Sequence, residues 1–190
     1  MPDVSKMDVL ATKRRCVYLT GKIDEDTARK FVENILRLEI QDPTKDILVI
    51  IDSYGGMVDS MWSMVDAMDL LRCDVHTLCV GKAMSAASCV LMNGVKGKRF
   101  CTPHARIMMH KIAGGSFGDV DSMANYVDEV KRLQKQSDDF MVSKTKFNKK
   151  ELLALFKEKG EIYLPAQKAL EKGVVDKVIR SFSELKLKGW

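Results

Sequence analysis

Three short segments of the chain carry residues that could do chemistry together. Gly55 and Gly56 follow an apolar run, Ser85 stands among small residues, and His110 ends a second apolar run. A serine hydroxyl becomes a nucleophile when a histidine takes its proton. Backbone N–H groups at a glycine turn, or at the residue after the serine, can stabilise the oxyanion that then forms. These residue types would suit acyl transfer, but each segment alone fits a plainer role at least as well: a tight turn, a helix cap or a structural histidine.

Other chemistries fit the sequence poorly. Gly81-Lys82 does not belong to a nucleotide-binding P-loop, because that motif needs glycine where His76 stands and serine or threonine where Ala83 stands. His104 and His110 have no Asp, Glu or Cys at ligand-like spacing, so no metal site is predicted. The sequence indicates no cofactor, and it assigns no role to His76.

The elements that position these segments alternate between strands and helices. Apolar runs predict strands at 16–19, 47–51, 75–80, 99–101, 107–109 and 174–179, with breaks at the turn 52–56 and at Gly81. Helical spacing predicts a helix after Asp24 or Asp26, another running to Met92, a long one over 119–143, and a short one opened by Pro165 and closed by Gly173. This alternation predicts a mostly parallel sheet with crossover helices. Sites in such sheets gather at the carboxyl ends of strands, and each of the three segments stands at such an end.

Length and composition favour one cytoplasmic domain, 1–190. A chain of 190 residues with 46% hydrophobic residues can bury a substantial core. Its start lacks an apolar export segment, and no apolar stretch reaches the roughly 20 residues of a membrane span. Five cysteines without a C-x-x-C pair predict reduced thiols in the core. The net charge of +5 gathers late, without a recognition motif, so nucleic-acid binding is not expected.

The order and spacing of four segments resemble the Clp peptidase family. The family's motifs are a Ser-Pro-Gly-Gly turn, a Gly-Gln-Ala-Ala-Ser nucleophile segment, a Lys-Gly-Lys-Arg-Phe segment and a strand that ends in histidine. The matching segments, without gaps between them, are Ser53-Tyr54-Gly55-Gly56, Gly81-Lys82-Ala83-Met84-Ser85, Gly94–Phe100 and Arg106–His110. No one motif is decisive, but the joint match is specific, and the similarity covers most of the chain, from 17–21 to 173–176.

The resemblance implies a fold and a mechanism. The fold is α/β, the repeated β-β-α superhelix that Clp peptidases share with crotonases, with a protruding handle helix at about 119–147. Ser85 would attack a peptide carbonyl, and His110 would take its proton and pass it to the leaving amine. The backbone N–H groups of Gly56 and Ala86 would hold the oxyanion. The Gly114-Gly115 loop would bind peptide and contact an opposite ring.

The resemblance also implies partners. They are identical subunits in a heptameric ring or a tetradecamer, peptide substrates, and a Clp-type ATPase unfoldase. Two features depart from the family. The arginine–aspartate pairs near its catalytic aspartate, which couple ring assembly to activity, are absent, and only about seven residues precede the region that matches the family's first conserved segment. The axial loops that meet an unfoldase are therefore expected to be mostly missing.

The third catalytic residue is the largest departure from the family pattern. The aspartate is expected six positions before the aromatic residue of the closing segment, here Tyr163-Leu164-Pro165-Ala166, and that position holds Lys157. Glu158 and Glu161 are the nearest carboxylates. We expect Glu161, which is similar in position to the acid of some phage-type relatives, to orient His110. A Ser–His dyad assisted by water or a carbonyl group is the other arrangement.

The sequence thus predicts a serine endopeptidase that hydrolyses peptides or unfolded proteins inside a ring-shaped chamber. One alternative is a catalytically impaired structural ring subunit, because loss of a triad member can lower the rate about 10⁴-fold. The other is an acyl-CoA enzyme of the crotonase type, which has a similar fold and a two-amide oxyanion hole but no serine nucleophile at this place.

Overall fold

The computed structural model describes residues 14–189, in which seven strands form one sheet accompanied by six α-helices. The strands are β1 (Cys16–Ile23), β2 (Ile47–Gly56), β3 (Val75–Met84), β4 (Arg99–Cys101), β5 (Arg106–His110), β6 (Glu161–Pro165) and β7 (Lys177–Val178). The helices are α1 (Glu25–Gln41), α2 (Val58–Asp69), α3 (Ala86–Met92), α4 (Val120–Lys144), α5 (Lys149–Lys159) and α6 (Ala166–Glu171), followed by a 3₁₀ turn at Phe182–Glu184.

The sheet is parallel except at one edge. Its order is β1-β2-β3-β4-β7, and all of these neighbours run parallel. Strand β3 divides: Thr77–Cys79 pair with β4, whereas Lys82–Met84 pair with β5. Strand β5 also pairs with the edge strand β6, and this pair is antiparallel. The predicted mostly parallel sheet is confirmed, while α5, β6 and the antiparallel pair are additions that the sequence patterns did not predict.

Both faces of the central strands are covered, which explains their continuous apolar runs. Side chains alternate between the two faces of a strand. Val49 and Ile51 of β2 belong to the large apolar cluster that packs against the helices. Leu48 and Ile50 belong to a smaller cluster on the opposite face, together with Phe100. The cluster also includes two side chains of neighbouring strands and two of the C-terminal segment (Cys16 and Leu78, Ile179 and Leu185). A strand between two apolar layers has no polar face, so its sequence shows no alternation.

Two strands extend beyond the breaks that the sequence predicted. Strand β2 continues through the glycine pair to Gly56, and β3 continues past Gly81 to Met84. Gly81 adopts φ +84°, and the register between the two strands shifts between Ile51 and Ser53. A glycine with positive φ allows such a bulge without ending the strand. At the other end, the strand expected at 174–179 contracts to the two residues of β7.

Two segments of the family resemblance meet in a structural ion pair. Asp176 Oδ1 accepts a hydrogen bond from Arg99 Nη2 at 2.7 Å, and Asp176 Oδ2 accepts from Arg99 Nε at 2.9 Å. The backbone N–H of Gly97 also donates to Asp176 Oδ2, at 2.7 Å. Arg99 is buried, and paired charges of this kind need several hydrogen bonds to offset desolvation. This pair connects β4 to β7 and takes no part in the candidate site.

His76, to which the sequence assigned no role, lies buried at the beginning of β3. Its Nε2 lies 2.7 Å from Asp46 Oδ2, and its ring stacks on Phe100. The same carboxylate oxygen accepts from the backbone N–H of Lys188 at 3.0 Å, so this cluster fixes the C-terminal segment to the sheet. Burial lowers the pKa of His76, although its hydrogen bond to Asp46 opposes that shift. The residue is structural.

Helix α4 is long and mostly exposed. Its N-cap is Asp119, whose Oδ1 accepts from the backbone N–H of Ser122 at 2.8 Å. The buried residues of the helix are Ser137, Asp138 and Met141, all in its C-terminal half. Apolar side chains in the first half are exposed instead, among them Val120, Met123 and Val127.

All five cysteines are buried and free, as the sequence predicted. Burial raises the pKa of Cys16, Cys73 and Cys101 to about 11 in each case, which makes these thiols poor nucleophiles.

Within residues 14–189, no helix has the length and apolar character to cross a membrane.

Candidate active site

Ser85 lies at a strained junction between β3 and α3. It adopts φ 53° and ψ −126°, a conformation that costs a non-glycine residue on the order of 1–3 kcal/mol. Three hydrogen bonds hold the backbone there. Ser85 N–H donates to Met108 O at 2.8 Å, and Ser85 O accepts from the backbone N–H of Ser88 at 2.9 Å and from Ser88 Oγ at 2.6 Å. Ser85 occupies the N-cap position of α3, but its hydroxyl makes no capping hydrogen bond. The helix-cap interpretation of this serine is therefore wrong.

The Ser85 hydroxyl is paired with His110 instead. His110 Nε2 lies 2.7 Å from Ser85 Oγ. The register of β5 explains this meeting, because Met108 pairs with Met84, so that β5 carries His110 just beyond the end of β3. Two sequence candidates separated by 25 residues thus form a hydrogen-bonded pair, as a nucleophile and its base require.

The glycine pair packs directly against the serine junction. A Cβ atom at Gly55 would lie 2.5 Å from Met84 O and 2.9 Å from Ala86 N, and Gly55 adopts φ +92°. A Cβ at Gly56 would lie 2.0 Å from Ile23 O. Only glycine fits at either position. The absence of side chains lets the β2 turn approach the residues on both sides of Ser85.

The predicted oxyanion donors share a cavity with the nucleophile and the base. Gly56, Ser85, Ala86 and His110 all line this cavity, which has a volume of about 170 Å³. The remaining wall is mainly apolar, with some small polar side chains (Val58, Met61, Ser88, Cys89, Ser137 and Met141, with 111–113 at one side). We call this space the catalytic cavity.

Helix α4 fixes the segment that follows the histidine. The backbone N–H of Ile112 donates to Gln134 Oε1 at 2.7 Å, and Gln134 Nε2 donates to Asp138 Oδ1 at 2.6 Å. Asp138 is buried, and burial raises its pKa. Because Ile112 lines the catalytic cavity, Gln134 and Asp138 hold one of its walls. Sequence reasoning missed both residues; their spacing of four on a helix indicates a mutual contact but gives no sign of the contact with Ile112.

Of the three residues weighed for the third catalytic position, one is opposite the histidine. Glu161 is the register partner of His110 in the β5–β6 pair, and opposed residues of an antiparallel pair have their side chains on the same face. Lys157 and Glu158 lie in α5, on the other side of the turn at Gly160, and both are exposed. The strand register therefore brings Glu161 to the histidine and leaves Lys157 and Glu158 outside this pairing.

The Glu161 carboxylate is held by a neighbour on its own strand. Tyr163 Oη donates to Glu161 Oε2 at 2.8 Å, and this hydrogen bond raises the pKa of Tyr163. Glu161 is exposed, and Tyr163 is 53% exposed. Within residues 14–189, no hydrogen bond joins Glu161 to His110, and His110 Nδ1 has no hydrogen-bond partner. Ser85 and His110 are thus brought together, while Glu161 is paired with His110 only in the strand register and its carboxylate is bound to Tyr163.

No group of three or more His, Cys, Asp and Glu side chains suited to a metal ion occurs in the part of the chain that the structure describes.

A model of the Clp protease family matches residues 4–182. This match spans nearly all of the 190 residues, including every element that forms the catalytic cavity. The chain therefore belongs to the Clp protease family.

Proposed function

We propose that this protein is a serine endopeptidase, with Ser85 as nucleophile and His110 as general base. The observation that carries the proposal is the 2.7 Å contact between Ser85 Oγ and His110 Nε2 at a strained strand–helix junction beside a cavity. Strained backbone persists where the surroundings impose it, and such places are often functional. Membership of a family of peptidases supports the same conclusion.

The mechanism follows from this contact. His110 Nε2 takes the hydroxyl proton while Ser85 Oγ bonds to the carbonyl carbon of a peptide, which gives a tetrahedral oxyanion. The backbone N–H groups of Gly56 and Ala86, which line the cavity, donate to that oxyanion and stabilise it by a few kcal/mol per donor. The intermediate collapses as His110 gives its proton to the leaving amine. Water, activated by His110, then hydrolyses the acyl-enzyme and restores the Ser85 hydroxyl.

Glu161 is our proposed third member of the triad. Its carboxylate would accept the Nδ1–H of His110 and stabilise the imidazolium that forms during attack. The register pairing of Glu161 with His110 supports this role. One observation favours the alternative, a catalytically impaired ring subunit: the Glu161 carboxylate accepts its hydrogen bond from Tyr163 and not from His110.

Assembly is part of the proposal. Phe117 is fully exposed, and three apolar residues of α4 are 40–75% exposed (Val120, Met123 and Val127). An apolar surface of this kind on a monomer is typical of an association surface. We propose that the whole chain, 1–190, is one domain of the Clp/crotonase superhelical type and that α4 acts as its handle. Identical subunits would form a heptameric ring or a tetradecamer in the cytoplasm, with a Clp-type ATPase unfoldase as the partner that supplies unfolded protein.

A fluorophosphonate probe tests the chemistry. We expect the probe to label wild-type protein at Ser85, as identified by peptide mapping, and to leave Ser85→Ala unlabelled. Cleavage of a fluorogenic peptide should fall by a factor of about 10⁴ or more in Ser85→Ala, because the nucleophile is lost. Near wild-type turnover by Ser85→Ala would overturn the mechanism. Labelling without measurable turnover would favour the impaired subunit.

Sedimentation tests the assembly. A ring or double ring is expected at micromolar concentration for both the wild type and Ser85→Ala, because the substitution removes only a small hydroxyl. A species of 21.4 kDa under these conditions would contradict the ring.

A further inference from the structure

The candidate acid differs from the rest of the site in how it is supported. Glu161 is exposed and lies at the first position of the edge strand β6. A glutamate side chain that becomes fixed loses up to about 1.5–2 kcal/mol of rotamer freedom. An exposed glutamate therefore needs a second contact to keep its carboxylate at one place beside the histidine.

Tyr163 provides such a contact, and its position follows from the strand. Residues two apart on a strand lie on the same face, so Tyr163 stands beside Glu161. In the β5–β6 register, Glu161 pairs with His110 and Tyr163 pairs with Met108. Met108 is itself bound through its carbonyl oxygen to the Ser85 backbone N–H, at 2.8 Å. The phenol is thus placed by pairing with β5, the strand that carries His110 and that also holds the Ser85 backbone through Met108.

The carboxylate has capacity for both neighbours. An ionised carboxylate accepts at two oxygens. Glu161 Oε2 accepts from Tyr163 Oη, and within residues 14–189 neither Glu161 Oε1 nor His110 Nδ1 has a hydrogen-bond partner. One oxygen is therefore held by the phenol while the other remains available to the imidazole.

We propose that Tyr163 is a positioning residue, which holds one oxygen of Glu161 so that the other can accept the Nδ1–H of His110. The inference rests on the proposed function, since it assigns Glu161 to the triad. Tyr163 does not touch the reacting atoms. The Glu161–His110 contact strengthens as the imidazole becomes charged, so loss of the phenol hydroxyl should affect transition-state stabilisation more than substrate binding.

A double-mutant cycle tests the proposal with the full chain. Tyr163→Phe removes only the hydroxyl, and because the ring is 53% exposed, the variant should keep the wild-type fold. With a fluorogenic peptide, we expect kcat to fall by about tenfold and KM to change by less than about twofold. In the Glu161→Gln background, adding Tyr163→Phe should cause little further loss, because the two residues act as a unit.

Two controls keep the outcome interpretable. Turnover is expressed per site labelled by the fluorophosphonate probe, so that misfolded molecules are not counted. A kcat of Tyr163→Phe within about twofold of wild type, or an equal loss from Tyr163→Phe in both backgrounds, would overturn the inference. Absence of wild-type labelling at Ser85 would instead overturn the proposed function, so the two failures are distinguishable.

Discussion

Ser85 is fixed by the centre of the sheet, whereas Glu161 lies on its edge strand. The serine backbone is held by three hydrogen bonds and by the close packing of Gly55. The Glu161 side chain is exposed and has one hydrogen bond, from Tyr163. Ser85 and His110 therefore form their pair within this chain alone, whereas the Glu161 carboxylate depends on one contact at an exposed edge. Under the proposed mechanism, the position of the Glu161 carboxylate, rather than that of Ser85, would distinguish a fully active subunit from an impaired one.

The largest effect on kcat should come from substitution of Glu161, the proposed acid. We expect Glu161→Gln to lower kcat by at least about 10²-fold with little change in KM, because an interaction that acts mainly in the transition state is lost. Lys157→Asp should gain little, because Lys157 lies in α5 and outside the β5–β6 register. Steady-state kinetics with a fluorogenic peptide measure both.

The opposite pattern would reverse the assignment. If Glu161→Gln were silent while Lys157→Asp accelerated turnover strongly, the chain would carry a degraded triad. The impaired-subunit alternative would then be the better description of this protein.

Sequence patterns located Ser85, His110 and the glycine pair more directly than they located Glu161, for a physical reason. Ser85, His110 and the glycine pair follow apolar strands, whose parallel packing brings their carboxyl ends together. Glu161 is brought to His110 by an antiparallel pair, and β6 is a short strand whose burial alternates. The register at such an edge is set by pairing with β5. The sequence of 161–165 alone does not show which residue of β5 each of its residues will oppose. Counting positions back from Tyr163 therefore could not decide among Lys157, Glu158 and Glu161.

Substitution of Gly55 tests whether close packing of the glycine pair holds the Ser85 backbone in place. Gly55→Ala should destabilise the protein by roughly 3 kcal/mol, through positive φ and overlap of the new Cβ with Met84 O and Ala86 N. It should also lower kcat by at least about tenfold, since small displacements at reacting atoms have large effects on rate. Chemical denaturation and peptide kinetics measure the two effects.

Gly97→Ala is the matched control. Gly97 has a nearly identical φ of +89°, but a Cβ atom added there would have nothing within 4 Å of it. This variant should show only the backbone strain, about 1–2 kcal/mol, with kcat unchanged. Equal effects of the two variants on kcat would mean that close packing of Gly55 does not hold the serine.

The contact between Gln134 of α4 and the cavity wall is expected to affect substrate binding more than turnover. Gln134→Met removes both the acceptor for the Ile112 N–H and the donor to Asp138. A partly buried N–H without a partner costs about 1–3 kcal/mol, so the wall should loosen. We expect KM to rise by about tenfold and kcat to change little. Gln136→Met, at an exposed position of the same helix, should leave both constants unchanged; a kcat effect confined to Gln134→Met would place this contact with the catalytic groups instead.

The smallest effect lies at the opposite end of the sheet and should leave catalysis unchanged. Burial lowers the pKa of His76 below its ordinary value of 6.5, so the unfolded chain binds its proton more readily than the native protein does. Above about pH 6.5 the residue is neutral in both states and has no influence; as the pH falls below that value, the free energy of unfolding decreases until the native imidazole is also protonated. Urea denaturation between pH 7 and pH 5 should therefore show a steeper loss of stability for wild type than for His76→Gln. The exposed His104 is the control, and His104→Gln should follow the wild type.

Because the cluster of His76 and Asp46 anchors the C-terminal segment and contributes nothing to the catalytic cavity, kcat per labelled serine at pH 7 should be the same in all three proteins. A reduced kcat in His76→Gln would show that the serine side depends on the whole sheet rather than on the contacts around Ser85.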